Sequence, residues 1–337
     1  MKKISLIVVV VFAFALLLGV GVKGAQASSL LFPYLSTQSG VYSFVTIANY
    51  GDSAWGQTGI TNYHLSYAHK TAGATNFNTI GCNHLDANVT TTPNDMMTFE
   101  VGGKVTDAGN VVLFENAAPV TSTALTLPIS NQIAFLIVEP VPVGPQTAAM
   151  ANVYGWADVI DTAANMTLNY STTYLNNVTD SDPDFSNLDA ATGWRVASWY
   201  PTTYVTTSWH ILPVGLRSAM APSAGGGIRR GLYATANDAN TYAAWDRDEH
   251  GWSGSYNTGV YCFGIISRAD VLMPGVVANT DAGGFMFLED TAVTISGTSY
   301  SSGPFIVHKI QSATAAAGVG TRTGINREPM VWPAFTP

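Results

Sequence analysis

The sequence predicts an all-β protein, built either as one β-sandwich or as two tightly packed β-sandwich lobes, with short helices in loops. Short runs rich in β-branched and aromatic side chains recur along the 337 residues, and clusters of Gly, Asn, Asp and Pro separate them. No long stretch repeats its apolar residues with the period of a helix. Strand-length runs without helical periodicity are typical of all-β sandwiches.

The elements of the first half follow from the residue pattern and from proline. Leu30–Leu35 is apolar but contains Pro33, which cannot donate to a ladder, so it predicts an edge strand or an arm. Val41–Asn49 predicts a strand that ends at a turn cluster. Residues 60–68 alternate and predict a half-buried strand, whereas residues 133–139 are apolar on both faces and predict a central one.

A stretch rich in Pro and Gly marks a candidate lobe boundary at residues 140–145. Beyond it, Met166–Leu175 alternates as a strand does, and residues 241–250 are expected to hold a short helix. Closing strands are expected at residues 260–267, 284–289, 291–296 and 305–311.

The first 27 residues have the pattern of a secretory signal peptide. Met1–Lys3 is basic, residues 4–22 are apolar, and the small residues of Ala25–Ala27 predict cleavage after Ala27. The alternative is a retained membrane helix, because the apolar run is nearly long enough to span a bilayer. The small-residue site favours cleavage, so we expect residues 28–337 to be a secreted β-rich unit without a transmembrane segment.

Charged side chains are sparse, at 11% of the chain against roughly 25% in an ordinary soluble domain. The leader holds three of the 14 basic residues and no acidic ones, so residues 28–337 carry 11 basic and 22 acidic side chains. A nucleic-acid partner is excluded because no basic stripe is present. A weakly charged surface suits a protein that is covered by copies of itself or by a cell envelope.

Cys82 and Cys262 are the two cysteines, and neither lies in a haem-attachment motif. In an exported chain such a pair favours a disulfide, and two buried free thiols are the alternative. A bridge would close a loop of about 180 residues and restrict the unfolded chain by roughly 5 kcal/mol in the loop-entropy model.

Asp180, Asp182, Asp184 and Asp189 form the densest run of carboxylates in the chain. Carboxylates two residues apart can aim their oxygens at one Ca²⁺, so calcium is the candidate cofactor and no other is indicated. The run lacks the glycine of an EF-hand loop, and the alternative is a solvated acidic turn.

Two further groups of polar residues have structural alternatives. Asp246–His250 is interpreted as a salt-bridged turn rather than as a catalytic pair of carboxylates. A metal cluster is the less favoured interpretation of a second group. Its members His64 and His69 are five residues apart and tend to face opposite sides of a strand, and Cys82 is better used in a disulfide. That group is His64, His69, Cys82, His84 and Asp86.

Trp194, Trp199, Trp209 and Trp252 are candidate glycan-binding residues, because exposed indole rings can stack on sugar faces. The alternative is core packing, where the same rings contribute a large buried area.

These features favour an extracellular structural protein, a self-assembling filament or surface-layer subunit that uses β-strand augmentation. The candidate donor strand is Leu31, Phe32, Pro33, Tyr34 and Leu35, which would complete a sheet in a neighbouring copy. The alternative is that this segment pairs within its own domain. A carbohydrate-binding or adhesion module of the cell surface is the second hypothesis, and a secreted hydrolase is the third. No catalytic residue is assigned.

The opening FPYLSTQSGVYSFVTIANYG, followed by YHLSYAHK, GCNHLD and PNDMMTFE, resembles a group of secreted, β-rich bacterial surface proteins of unassigned role. The resemblance covers roughly residues 30–100. It implies export and a β fold, and it carries over no catalytic residue. We therefore expect a secreted bacterial protein that lies outside the cell or on its surface.

Overall fold

Strands make up nearly all of the regular structure. The structure is a computed structural model, and it describes residues 29–49, 61–91, 95–106, 112–114, 125–127, 130–141, 153–163, 166–175, 194–213, 231–236, 242–290, 293–295, 298–300, 305–313, 322–327 and 330–331. The predicted signal peptide lies outside these ranges. Within them, no helix is both long enough and apolar enough to cross a membrane.

The all-β prediction is confirmed, including the short helices in loops. In the described ranges these helices are α1 (Arg268–Val271), α2 (Pro274–Asn279) and a 3-10 turn (Phe77–Thr79). The strands are β1 (Ser29–Ser36), β2 (Val41–Asn49), β3 (Thr61–Thr71), β4 (Asn83–Thr91), β5 (Asp95–Glu100), β6 (Val112–Phe114), β7 (Gln132–Val141), β8 (Val153–Asp161), β9 (Met166–Ser171), β10 (Thr173–Leu175), β11 (Trp194–Trp199), β12 (Val205–Pro213), β13 (Gly231–Ala236), β14 (Ala244–Asp246), β15 (Gly251–Trp252), β16 (Thr258–Tyr261), β17 (Gly264–Ile266), β18 (Gly284–Asp290), β19 (Val293–Ile295), β20 (Thr298–Tyr300), β21 (Phe305–Ala313), β22 (Arg322–Arg327) and β23 (Met330–Val331).

The strands form three large sheets and the two-stranded ribbon β19-β20. The five-stranded sheet has the order β10-β1-β7-β3-β4. The nine-stranded sheet has the order β17-β12-β21-β22-β9-β8-β2-β5-β6. The seven-stranded sheet contains the path β15-β14-β18-β11-β23, with β13 between β18 and β16.

The first lobe is a sandwich of the five-stranded sheet on β9, β8, β2, β5 and β6. Alternate residues of β3, namely Tyr63, Leu65 and Tyr67, belong to its core together with Val45 and Ile47 of β2. This alternation follows from the two-residue period of a strand. Full burial of one such aliphatic side chain is worth about 1.5–3 kcal/mol, so this core supplies much of the lobe's stability.

The second lobe packs the seven-stranded sheet against β12, β21 and β17. Trp199 of β11 and Trp209 of β12 meet edge to face at its centre, with ring centroids 6.1 Å apart. The expected helix at residues 241–250 is wrong, since this stretch holds β14 and a turn into β15. The Asp246 carboxylate accepts the backbone N–H groups of Asp248 and His250, and this reverses the chain.

A third core joins the two lobes. The outer face of the five-stranded sheet contributes Leu31, Ala68 and Phe135, and the second lobe contributes Leu212 and Ile306. The central strands of this sheet are therefore covered on both faces, whereas β4 keeps His84, Asp86 and Asn88 exposed. This confirms β7 as a central strand. It corrects the half-buried prediction for β3 in part, because Ser66 and Ala68 on its outer face are buried while His64 stays partly exposed.

One sheet continues through both lobes. β22 lies between β21 of the second lobe and β9 of the first, and its pairing with β9 is parallel, with Arg322 opposite Thr167. Ala157 of β8 and Leu168 of β9 lie in the first core. The first core holds residues up to Tyr170, and the second core begins at Ala197. Of the candidate boundary at residues 140–145, the first two residues belong to β7 and the other four lie outside the described residues.

The candidate donor strand forms part of β1, which lies in the chain's own sheet between β7 and β10. Leu31, Phe32 and Leu35 are fully buried there. Its register with β7 shifts between Phe32 and Leu35, the segment that contains Pro33. A bulge tolerates the missing N–H of proline, and β10 covers only the first residues of the strand. The segment thus takes the alternative place that the sequence left open, within its own domain.

Candidate functional site

The disulfide between Cys82 and Cys262 is present and lies at the junction of the two lobes. It confirms the predicted pairing, and the two Cα atoms are 5.9 Å apart. Cys262 has a φ of 63°, and the N–H of Phe263 donates to the carbonyl of Tyr261 at 2.8 Å, which closes a three-residue turn. Positive φ is uncommon for a residue with a side chain, so neighbouring contacts must hold this turn.

Lys70 supplies these contacts from the first lobe. It lies at the end of β3, and its side chain is buried. Its Nζ donates to the carbonyl oxygens of Phe77 at 2.9 Å, Tyr261 at 2.6 Å and Phe263 at 2.5 Å. Two of the three acceptors flank Cys262, so Lys70 and the disulfide fix the same turn. We call Lys70, Phe77, Tyr261, Cys262 and Phe263 the junction clamp.

The clamp is built for a charged lysine. Burial lowers the pKa of Lys70 to about 7. The carbonyl oxygens act in the opposite direction, and so do the rings of Phe77 and Phe263, whose centroids lie 5.1 and 4.8 Å from Nζ. Three carbonyl acceptors match the three N–H groups of an ammonium, whereas a neutral amine would leave one oxygen facing a lone pair.

A pair of buried histidines lies beside the clamp. His210 of β12 is directly opposite His308 of β21, and its ring packs against the rings of Phe263 and Tyr34. Neither ring nitrogen of His210 has a hydrogen-bond partner among the described residues. Burial lowers the pKa of His210 well below its usual value, and the nearby His308 and Lys70 add to this, so the ring is neutral at neutral pH.

Three residues of the less favoured metal group meet on the outer face of β3 and β4. Asp86 Oδ1 lies 2.7 Å from His84 Nε2 and 3.4 Å from His64 Nε2. Cys82 is used in the disulfide, and His69 pairs with Gln132 on the other face of β3. The structure therefore separates two members of the group from the other three, as the alternation of the strand predicts.

The charged turn at Asp246 is held by its own groups. The Asp246 carboxylate accepts a hydrogen bond from Trp252 Nε1–H at 3.1 Å in addition to those from two backbone N–H groups. His250 Nδ1 lies 3.3 Å from Asp246 Oδ2. Asp246, Asp248 and His250 place ligand atoms within 4.8 Å of one another. Both carboxylate oxygens of Asp246 are already used by the turn, which supports the interpretation of a structural turn.

The candidate calcium residues Asp180, Asp182, Asp184 and Asp189 lie outside the described residues. Among the candidate glycan-binding residues, the prediction is wrong for Trp199 and Trp209, which are 4% and 0% exposed. Both rings lie between the two sheets of the second lobe and cannot reach a sugar. Trp252 is half buried, and its Nε1–H donates a hydrogen bond to the Asp246 carboxylate. Trp194 takes part in β11 through its backbone, opposite Val331.

A half-buried aromatic group lies on the seven-stranded sheet. Trp245 and Phe285 are stacked with centroids 5.2 Å apart and planes within 6°. Near-parallel rings at this separation are offset-stacked, and Phe287 packs edge-on against both. The three rings therefore pack mainly on one another.

The comparisons with known proteins add no relative. No protein-family model, curated protein or solved structure matches the chain.

Sequence reasoning missed Lys70 as the centre of the junction. One signal was available, because Lys70 directly follows a strand pattern of alternating apolar residues, and only Lys104 and Lys309 accompany it after the leader. A lysine in such a place needs acceptors when it is buried. The acceptors themselves come from residues about 190 positions later, which no local pattern indicates.

Proposed function

We propose that the chain is an extracellular structural protein of the bacterial surface, which assembles with copies of itself into a filament or a surface layer. The observation that carries the proposal is the junction between the lobes. A shared sheet, a third core and the junction clamp all cross it. Lobes that are joined by a large apolar interface do not hinge, and a rigid subunit is what a load-bearing assembly needs.

Two further features support the proposal. A disulfide persists in oxidising surroundings such as the cell exterior, and this one connects the two lobes. Charged side chains also make up only 11% of the chain, so much of its surface is uncharged and can pack against a neighbour without burying a charge. Both features favour a subunit that remains folded outside the cell and packs against its neighbours.

The experiment uses purified residues 28–337 at increasing concentration. We expect analytical ultracentrifugation to show species larger than one chain, and negative-stain images to show regular fibres or sheets. A chain that sediments as a single copy at every concentration, with no ordered material in the images, contradicts the proposal.

The donor-strand route is tested separately. Leu31 of β1 is opposite Ile137 of β7, so cysteines at these two positions can be cross-linked. A bond within one chain places β1 in its own sheet, and a ladder of linked chains on a non-reducing gel shows exchange between copies. The turn after β1 favours the first result, because Thr37 donates its N–H to the carbonyl of Gln132 at 2.9 Å.

A carbohydrate-binding role is the second candidate, on a different observation from the tryptophans. Tyr200 and Tyr204 flank the turn between β11 and β12 and are 60% and 69% exposed. Exposed tyrosine rings can stack on sugars and also offer a hydroxyl. Glycan-array binding that is lost in Tyr200→Ala and Tyr204→Ala, with unchanged thermal unfolding, would favour this role; an array without signal for the wild type excludes it.

A further inference from the structure

The described strands at the ends of the three large sheets differ in length. Six of these end strands have two to four described residues each, namely β10, β15, β23, β17, β6 and β16. β4, at the end of the five-stranded sheet, has nine. Short end strands restrict pairing with other chains, because a free edge presents unpaired N–H and C=O groups. In the described part of the chain, β4 is thus a long strand at a sheet end, and its length does not restrict pairing with another chain.

β4 also lacks the other features that protect an edge. It contains no proline and no lysine, and Asp86 is its one acidic side chain. Its register with β3 is unbroken over nine pairs, from Thr61 opposite Thr91 to His69 opposite Asn83, so no bulge twists it away. A straight strand of this length is a template for a further strand.

We propose that a second copy of this chain docks on β4, with its own β4 antiparallel to the first, so that two five-stranded sheets become one sheet of ten. This inference rests on the proposed self-assembly and names a surface for it. A two-fold axis relates the copies, and each contributes the same edge. One register pairs all nine residues of both strands, and it places Ala87 opposite Ala87 of the partner subunit.

In that register the exposed side chains are complementary. Asp86 lies opposite Asn88 of the partner subunit, on the same face, and the two-fold axis repeats this pair. The Nδ1 of His64 on β3 lies 2.9 Å from Asn88 Oδ1, which is an acceptor. The amide oxygen of Asn88 therefore points towards β3, and no described group accepts a hydrogen bond from its NH₂. Asp86 Oδ1 is used by His84. Its other oxygen can accept the amide of the partner subunit's Asn88.

The same arrangement selects against a neighbouring register. Pairing centred on Asp86 would place two carboxylates directly opposite each other, and like charges on facing strands are destabilising. The full-length register separates them. On the other face it places Leu85 opposite Val89 of the partner subunit, which extends the apolar side of the first core across the joint.

The test is Asn88→Asp, measured by the dimer dissociation constant in sedimentation equilibrium of residues 28–337. The new carboxylate keeps an acceptor for His64 but faces Asp86 of the partner subunit, in both halves of the joint. We expect dimer dissociation to become easier by about tenfold or more. Adding Asp86→Asn restores complementary partners, because the carboxylate and the amide exchange positions, and should return the constant to within about threefold of the wild type.

Asn83→Asp is the matched control, since it adds the same charge to the same strand away from Asp86. It should leave the dimer unchanged, and thermal unfolding of all variants should agree with the wild type. Equal dissociation of N88D and N83D, or no rescue by D86N, overturns the joint. If ordered assemblies persist in N88D, the joint is wrong and the proposed function stands. A wild type that is a single copy at all concentrations overturns both.

Discussion

Lys70→Met gives the sharpest test of the junction clamp. Methionine has a similar length and volume, so it fills the space without a cavity. The substitution removes three hydrogen bonds. It leaves the buried carbonyl oxygen of Phe263 and the half-buried one of Phe77 without their donor, whereas the oxygen of Tyr261 keeps the N–H of Phe263. A buried acceptor that loses its partner costs about 1–3 kcal/mol.

One buried and one half-buried acceptor give an expected loss of up to about 6 kcal/mol in the free energy of unfolding. The burial of an ammonium also has a cost, and its removal offsets part of that loss, so we expect about 2–4 kcal/mol. The assay is urea unfolding at pH 7, followed by intrinsic tryptophan fluorescence, with the disulfide intact in both proteins.

Lys104→Met is the matched control. Lys104 Nζ also donates to two carbonyl oxygens, those of Gln38 and Val41, and lies over the ring of Tyr42, but it does so near the surface. Water can replace it there, so we expect a loss of no more than about 1 kcal/mol. If K70M is as stable as the wild type, or loses no more than K104M, then the clamp does not stabilise the junction.

Three further predictions concern the junction and β1. Replacing Cys82 and Cys262 by serine should lower the free energy of unfolding, measured in urea, by up to about 5 kcal/mol. A loss below about 1 kcal/mol would show that the disulfide does not stabilise the protein by restricting the unfolded chain. His210 is neutral when folded but binds a proton below about pH 6.5 when unfolded, so stability should fall as pH drops below 6.5, by at most about 1.4 kcal/mol per unit. His210→Leu should reduce that slope between pH 7.5 and pH 5, and an unchanged slope assigns it to other groups. Cysteines at Leu31 and Ile137 should cross-link within one chain, and intermolecular ladders would show that β1 is exchanged.

The sequence predicted those elements whose environment is set by their own residues. β2 matches the predicted strand Val41–Asn49, because its β-branched and aromatic residues end at a turn. β7 is central because both of its faces are apolar. Pro33 predicted an edge strand or an arm, but β1 lies between β7 and β10, and the proline is accommodated where the register with β7 shifts.

The contacts between the lobes could not be predicted, because their partners are distant in the chain. The same alternation in β3 suits a strand with one open face, and only the second lobe shows that Ala68 is covered. Trp199 and Trp209 carry no local sign that separates a core ring from an exposed one. The long edge of β4 is likewise a property of sheet order, which the pattern of a single strand does not contain.

The distance between the two cysteines along the chain has a consequence for biosynthesis. A ribosome adds about 5–20 residues per second, so Cys82 precedes its partner by about 9–36 seconds. With two thiols per polypeptide, a chain cannot form a wrong bridge within itself. A wrong disulfide must therefore join the chain to a thiol of another molecule, and where that molecule is a second copy its yield should rise with the rate at which copies are produced together.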